Sequence, residues 1–235
     1  MLDLIRQSYL GTSPSDDPVQ EVKEKLPSPI VENYIEKTKL RHAGVMIGIT
    51  QSEDNDLSVL LTKRTSHLKQ HAGEISLPGG SFDESQDRNI TMTALREAEE
   101  EIGLNREHSE LIGYVTPQVS LGTGFIVTPV VSLIPKDFLP TLNENEVDEV
   151  FEVPISFLLD QNSLKNERRI YDQIEWTVYS YNYLNHNIWG LTAQILRKFS
   201  GLISFGPKLP MQPPITLAQI IKNLFASNAF PGPTA

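Results

Sequence analysis

Three glutamates in the segment REAEEEIG, namely Glu97, Glu100 and Glu101, carry the first chemical signal in this chain. At about 100° per residue they fall on one flank of a helix, with Thr91, Leu95, Ala98 and Ile102 as a core-facing stripe on the other. Like charges at i,i+4 spacing cost about a few tenths of a kcal/mol even when exposed. A hard divalent cation would offset that repulsion. Mg²⁺ takes oxygen ligands, keeps several waters, and sits against carboxylates and substrate phosphates. A solvated acidic face is the commoner outcome for a charge run alone, and the surroundings raise the metal reading. Gly79-Gly80 frees the backbone to approach the helix, where carbonyls or amides can meet an ion or phosphate. Gly103 is placed as the helix C-cap. From Leu77 to Leu104 the chain thus reads as a strand end, a glycine turn, an acidic loop and a helix.

The elements that must hold these groups follow from periodicity. Arg41 to Thr50 and Leu57 to Thr62 read as strands, the second with an apolar run that suggests burial on both faces. Leu111 to Val119 and Phe125 to Leu133 read as a strand pair joined by the glycine-rich Ser120–Gly124, a candidate pocket lining or a simple hairpin loop. Val150 to Pro154 reads as a further strand, followed by a turn that Ser156 can cap. Ile174 to Leu184 alternates as a strand, and Ile188 to Phe199 reads as a closing helix with Trp189 in the core. Residues 1–40 read as short helices between prolines, a packing extension of the main domain. Residues 203–235 form a proline-rich tail in which Leu217 to Phe225 is a candidate helix.

Between the second strand and the glycines lies KRTSHLKQHAG, with Lys63, Arg64, His67, Lys69 and His71 and no acid from Leu57 through Gly73. A net charge of −10 argues against general nucleic-acid binding, which wants a basic surface. It also means that a phosphate ligand needs a locally positive site, which this island would supply. There are no cysteines, so disulfides, thiolate metal sites and cysteine nucleophiles are excluded. A composition of 39% hydrophobic and 21% charged residues is ordinary for a soluble globular protein. No apolar run is long enough to span a membrane, and the early residues do not read as a signal peptide. A cytoplasmic protein is expected. His42, His108 and His186 belong to no constellation, and there is no G-x-S-x-G elbow.

The glycines and the helix together resemble the Nudix box, a GG turn followed by REUxEExGU, where U is bulky and apolar. Arg96, Glu97, Glu100, Glu101 and Gly103 match, with Ala98 at the first U and Leu104 at the last. The loop from Gly80 to Arg96 is longer than the usual spacing and lacks the expected glutamate; Asp87 is the nearest acid. Upstream, LLTKRTSHLKQHAGEISLPGG resembles the coenzyme A pyrophosphatase branch, roughly LLTxRxxxLxxHxGxxxFPGGxxD. Leu60, Leu61, Thr62, Arg64, Leu68, His71, Gly73, Pro78, Gly79, Gly80 and Asp83 fall in place, while Leu77 replaces Phe and Lys69 stands where Arg is common. The WGLTA phrase at Trp189 is similar to the same branch.

The resemblance covers roughly residues 41–202 and implies an α/β fold, the Nudix α/β/α sandwich with a mixed β-sheet, between the extensions 1–40 and 203–235. It implies Mg²⁺ or Mn²⁺ held by Glu97, Glu100 and Glu101, with Arg96 orienting a glutamate. The proton acceptor is Glu100 or Glu146, and a later loop glutamate, Glu146 or Glu144, is a candidate to reach back to the metal cluster. Arg64, Lys69, His71, Gly79 and Gly80 are the expected substrate contacts. The implied reaction is hydrolysis of coenzyme A or its thioesters to 3′,5′-ADP and 4′-phosphopantetheine species. The alternatives are another nucleoside diphosphate derivative such as ADP-ribose, or a catalytically silent ligand-binding module. A small-molecule substrate is expected, without nucleic acid or membrane, and the N-terminal helices are candidates to mediate a homodimer.

Overall fold

A computed structural model describes residues 1–26, 28–68, 71–171 and 174–205 of the chain. Strand β1 (Arg41–Gln51) is its spine, and the small and β-branched residues of RHAGVMIGIT are buried from Ala43 to Ile49 except for the half-buried Val45. It runs parallel to β7 (Phe125–Leu133) and antiparallel to β2 (Leu57–Arg64) and β4 (Gly79–Ser81). Strands β3 (Ile75–Ser76) and β8 (Val147–Pro154) pair with β2, and β5 (Glu110–Tyr114) and β6 (Gln118–Ser120) pair with β7. The result is one mixed eight-stranded sheet.

Alternation along the strands divides the core into two layers. On one face, Met46, Leu60 and Val130 pack against helix α4 (Ile90–Ile102) through Ala94, Ala98 and Ile102. On the other, Ile47, Val59, Leu61 and Val131 share a cluster with residues of α1 (Leu2–Tyr9), α5 (Ile155–Leu159) and α6 (Gly190–Phe205). This is the α/β/α sandwich expected from the sequence. The N-terminal helices α1, α2 (Pro18–Lys25) and α3 (Pro29–Lys37) form as expected. Ile5 and Tyr9 lie fully inside the main core, and the Tyr9 hydroxyl donates to the Phe199 carbonyl at 3.1 Å.

Several expectations are corrected. Gly79-Gly80 is no turn but a strand on β1, and at Gly79 the approach demands a residue without a Cβ, since a Cβ there would stand 2.4 Å from the Gly44 carbonyl oxygen. The Leu111–Val119 strand is broken after Tyr114, where Thr116-Pro117 cannot continue the ladder. Ser156 makes no cap on α5. Ser120–Gly124 takes the second of its two expected readings, a hairpin loop, held by the Tyr34 hydroxyl, which accepts from the amides of Gly122 (2.9 Å) and Gly124 (3.0 Å). Ile188 and Trp189 lie not in a helix but in β11 (His186–Trp189), and Trp189 is exposed. That strand pairs with β10 (Ile174–Tyr183), which also pairs with β9 (Leu164–Tyr171), in a three-stranded antiparallel sheet that the sequence did not announce. The candidate helix at Leu217–Phe225 lies outside the described residues.

Candidate active site

Helix α4 starts at Asn89, whose side chain accepts from the Met92 amide at 3.0 Å, and stops at Gly103, which turns left-handed with φ 73°. Its three glutamates, expected on one flank, stand in three environments. Glu101 is buried, Glu97 is half-buried and Glu100 is exposed. Glu101 follows Glu97 by four residues and turns toward the sheet, whereas Glu100 sits further round the helix toward solvent.

Arg96 is the hub. Its Nε and Nη2 donate to the two oxygens of Asp87 at 2.9 and 3.0 Å, a bidentate fork with only 1% of the Asp87 side chain exposed. Its Nη1 reaches Glu97 at 2.8 Å and Glu100 at 3.1 Å, and its Nη2 also donates to the Ser81 carbonyl. Asp87 further accepts from the Thr93 hydroxyl and the Asp83 amide, both at 3.0 Å. Burial alone would raise its carboxyl; the hydrogen bonds from Arg96, the Asp83 amide and Thr93 outweigh it and hold Asp87 below the usual range. Those to Asp87 come first in raising the Arg96 guanidinium further above its ordinary value. Asp87, the acid nearest the expected loop glutamate, is thus the loop carboxylate that Arg96 holds.

Strand β4 closes the site from the other side. A Cβ at Gly80 would fall 2.4 Å from the Glu97 carboxyl carbon, so glycine makes the cradle in which that carboxylate lies. Burial, and then the charge of Glu97 and Glu146, pushes Glu101 up to about 8 against the lowering effects of Arg64 and the Gly79 amide. Burial likewise raises Glu97, with Glu100 and Glu146 acting in the same direction and Arg96 against them. Glu146 is thus brought to the same place as Glu97 and Glu101, in a loop pinned by the Thr65 amide on its carbonyl and the Asn143 amide on its side chain. Glu144 is exposed.

The basic segment meets the site at one point. Arg64 Nη1 stands 3.7 Å from Glu101 Oε1, while Arg64 Nε and Glu101 Oε2 are buried without a hydrogen-bond partner among the described residues. His71, with φ 57°, is exposed, and its Nδ1 is 2.8 Å from Glu74 rather than from a helix glutamate. Lys69 lies outside the described residues.

Among the described residues no three carboxylates or histidines already converge as a metal shell, since Arg96 draws off Glu97 and Glu100. The donor set nevertheless suits a hard cation. It is all oxygen, it contains an orphaned buried carboxylate oxygen at Glu101, and Glu97, Glu101 and Glu146 repel one another.

Comparison with known proteins gives a family. Residues 40–174 match the NUDIX domain. A protein described as an uncharacterised Nudix hydrolase, NudL, from Enterobacter sp. (strain 638) is 41% identical over 170 residues, which cover 71% of this chain and 85% of that protein. Nudix hydrolase 15, mitochondrial, from Arabidopsis thaliana is 36% identical over 167 residues, 68% of this chain and 58% of its own. Among solved structures, a binary complex of a C. elegans Ap4A hydrolase is 14% identical and covers 71% of this chain and 99% of that one, with a TM-score of 0.46. With the domain matched over more than half of its length and a relative aligned over most of that relative's own, this chain belongs to the Nudix family, pyrophosphohydrolases that act on nucleoside diphosphate derivatives and generally use divalent metal ions such as Mg²⁺ or Mn²⁺.

Proposed function

We propose that this protein is a Mg²⁺-dependent coenzyme A diphosphatase, cleaving coenzyme A or its thioesters to 3′,5′-ADP and a 4′-phosphopantetheine species. The observation that carries this reading is the segment LLTKRTSHLKQHAGEISLPGG, spelled like that branch and meeting the acidic helix through Arg64 and Glu101, 3.7 Å apart. An acidic chain needs such a local positive field to hold a substrate rich in phosphate.

Glu97, Glu100 and Glu101 are the carboxylates that would hold the ion. When bound, it neutralises charge on the phosphate oxygens and lowers the pKa of bound water. Arg96, itself fixed by Asp87, orients Glu97 and Glu100. Glu146, which accepts from the Asn143 side chain and among the described residues pairs with no arginine, accepts the proton of the attacking water. The water oxygen bonds to phosphorus, the P–O bond of the anhydride breaks, and its electron pair leaves on the departing phosphate. Arg64, Lys69 and His71 contact the substrate phosphates, and the Gly79-Gly80 backbone lies under them.

The test is a product assay with coenzyme A and Mg²⁺, with Glu101→Gln in parallel. The parent protein releases 3′,5′-ADP, and the variant loses at least about a hundredfold, the scale of a lost transition-state charge contact. Turnover of ADP-ribose but not coenzyme A would leave the helix assignment standing and remove the substrate assignment. Binding of coenzyme A with Mg²⁺ and no turnover of either would mean a ligand-binding module.

A further inference from the structure

A cavity of about 200 Å³ lies at the seam where the N-terminal helices meet the domain. One side is apolar, formed by Val22 and Leu26 at α2 and by Val119 of β6. The other side is formed by α6, from which Gln194, Arg197 and Lys198 contribute. It is remote from the glutamate helix in the layering of the fold, because α4 and α6 cover opposite faces of the sheet.

The charge balance of this cavity is one-sided. Among the described residues no carboxylate lines it, and neither Arg197 nor Lys198 forms an ion pair. Lys198 is half-buried, and burial first, then the charge of Arg197, holds its ammonium below the usual range, with no acid among the described residues acting on it. A half-buried cation without a counter-charge costs free energy that a bound anion would recover.

The surroundings also fix the polar groups in place. The Arg197 guanidinium lies 4.5 Å over the Tyr179 ring, which holds its plane. Gln118 is fully buried, donates to the carbonyls of Thr116 (2.8 Å) and Pro117 (3.0 Å), and accepts from Gln194 Nε2 at 2.7 Å. That chain orients the Gln194 amide and leaves its second N–H without a partner among the described residues.

We propose that this seam cavity is a second, anion-binding site, which takes a small molecule with a carboxylate or phosphate-monoester head at Arg197, Lys198 and Gln194 and an apolar body against Val22, Leu26 and Val119. The lining, apolar at Val22, Leu26 and Val119 and cationic at Arg197 and Lys198, suits an acid with a short alkyl chain. A ligand here bridges α2 and α6, and so ties the N-terminal helices to the domain. The site does not depend on the hydrolytic reading of the glutamate helix.

The experiment titrates the full-length protein calorimetrically with hexanoate, hexyl phosphate and hexylamine. Saturable binding of either anion, and of no amine, is expected, and the stronger anion identifies the head group. Lys198→Gln keeps the Arg197–Tyr179 stack and weakens anion binding at least about tenfold, as loss of a charged hydrogen bond requires. Leu26→Trp fills the apolar side and removes binding while every cation stays. Metal-dependent turnover without added anion is unchanged in Lys198→Gln. Absence of saturable anion binding, equal binding of the amine, or unchanged affinity in a folded Lys198→Gln protein would overturn the proposal.

Discussion

Replacing Asp87 by Asn tests whether one loop carboxylate holds Arg96. The side chains have the same shape, so the change acts on charge and hydrogen bonding alone. Asp87 accepts four hydrogen bonds, two from Arg96 and one each from Thr93 and the Asp83 amide. Three of them converge on one oxygen, and an amide nitrogen there would face three donors. Removing one partner of a buried ion pair costs about 3–5 kcal/mol. Arg96 keeps Glu97 and Glu100 as neighbours, so its charge is not stranded and the lower end, about 3 kcal/mol, applies. At ~2–4 °C per kcal/mol for a chain of this size, the melting temperature falls by about 6–12 °C. The assay is thermal unfolding followed by circular dichroism, with Glu100→Gln beside it. Glu100 also pairs with Arg96, but its side chain is 51% exposed, so its loss costs under about 1 kcal/mol. A melting temperature for Asp87→Asn within about 2 °C of the parent, or a larger effect from Glu100→Gln, would refute the claim that Asp87 anchors the site.

Gly80→Ala acts on position rather than stability. The new Cβ meets the far end of the flexible Glu97 side chain, not backbone, so the fold survives while the carboxylate moves. Turnover is expected to fall by ~10²-fold, the scale for a misplacement of about 1 Å, with little change in melting temperature, and steady-state kinetics on the purified variant measure it. Glu101 sets a pH dependence in the metal-free protein. Its folded value, about 8, lies above the ordinary glutamate value of about 4.5, so its stability contribution is complete below about 4.5 and is lost as pH rises toward 8. Each pH unit in that window costs up to about 1.4 kcal/mol. In EDTA the melting temperature therefore falls from pH 5 to 8, Glu101→Gln flattens the slope, and Mg²⁺ or Mn²⁺ restores stability at the upper end. Parallel curves for parent and variant would refute it.

The parts of this site legible in the sequence are those written in local spacing. The glutamate helix obeys the 3.6-residue period, and its end at Gly103 rests on a left-handed residue that glycine favours. What the period could not give is depth. Glu97, Glu100 and Glu101 read alike as one flank, but Gly80 and the sheet beneath bury two of them and leave Glu100 to solvent. The same limit hid the role of Asp87. A residue nine positions before Arg96 meets it only because the loop doubles back before the Asn89 cap, with the Asp87 amide bonded to the Asp83 carbonyl. Asn89 at the head of an apolar-periodic run was the available signal for where that loop ends. Glycine spacing misled for a related reason: Gly79-Gly80 carries the signature of a turn, yet its function is close approach, on one side to β1 and on the other to Glu97. β9 went unread because residues 165–170 are exposed and mostly polar or charged, and it owes its strand form chiefly to pairing with β10.

The electrostatics explain why the two arginines of the site are not equivalent. Arg96 is saturated, bound to three carboxylates and a carbonyl, and fixes geometry. Arg64 is under-bonded among the described residues, 3.7 Å from a carboxylate that burial pushes toward neutrality, with its own Nε unpartnered there. A group left in that state gains by meeting a phosphate, whereas Arg96 would have to give up bonds to do so. Under the proposed function, that difference in partners is the physical argument for Arg96 orienting carboxylates and Arg64 contacting substrate.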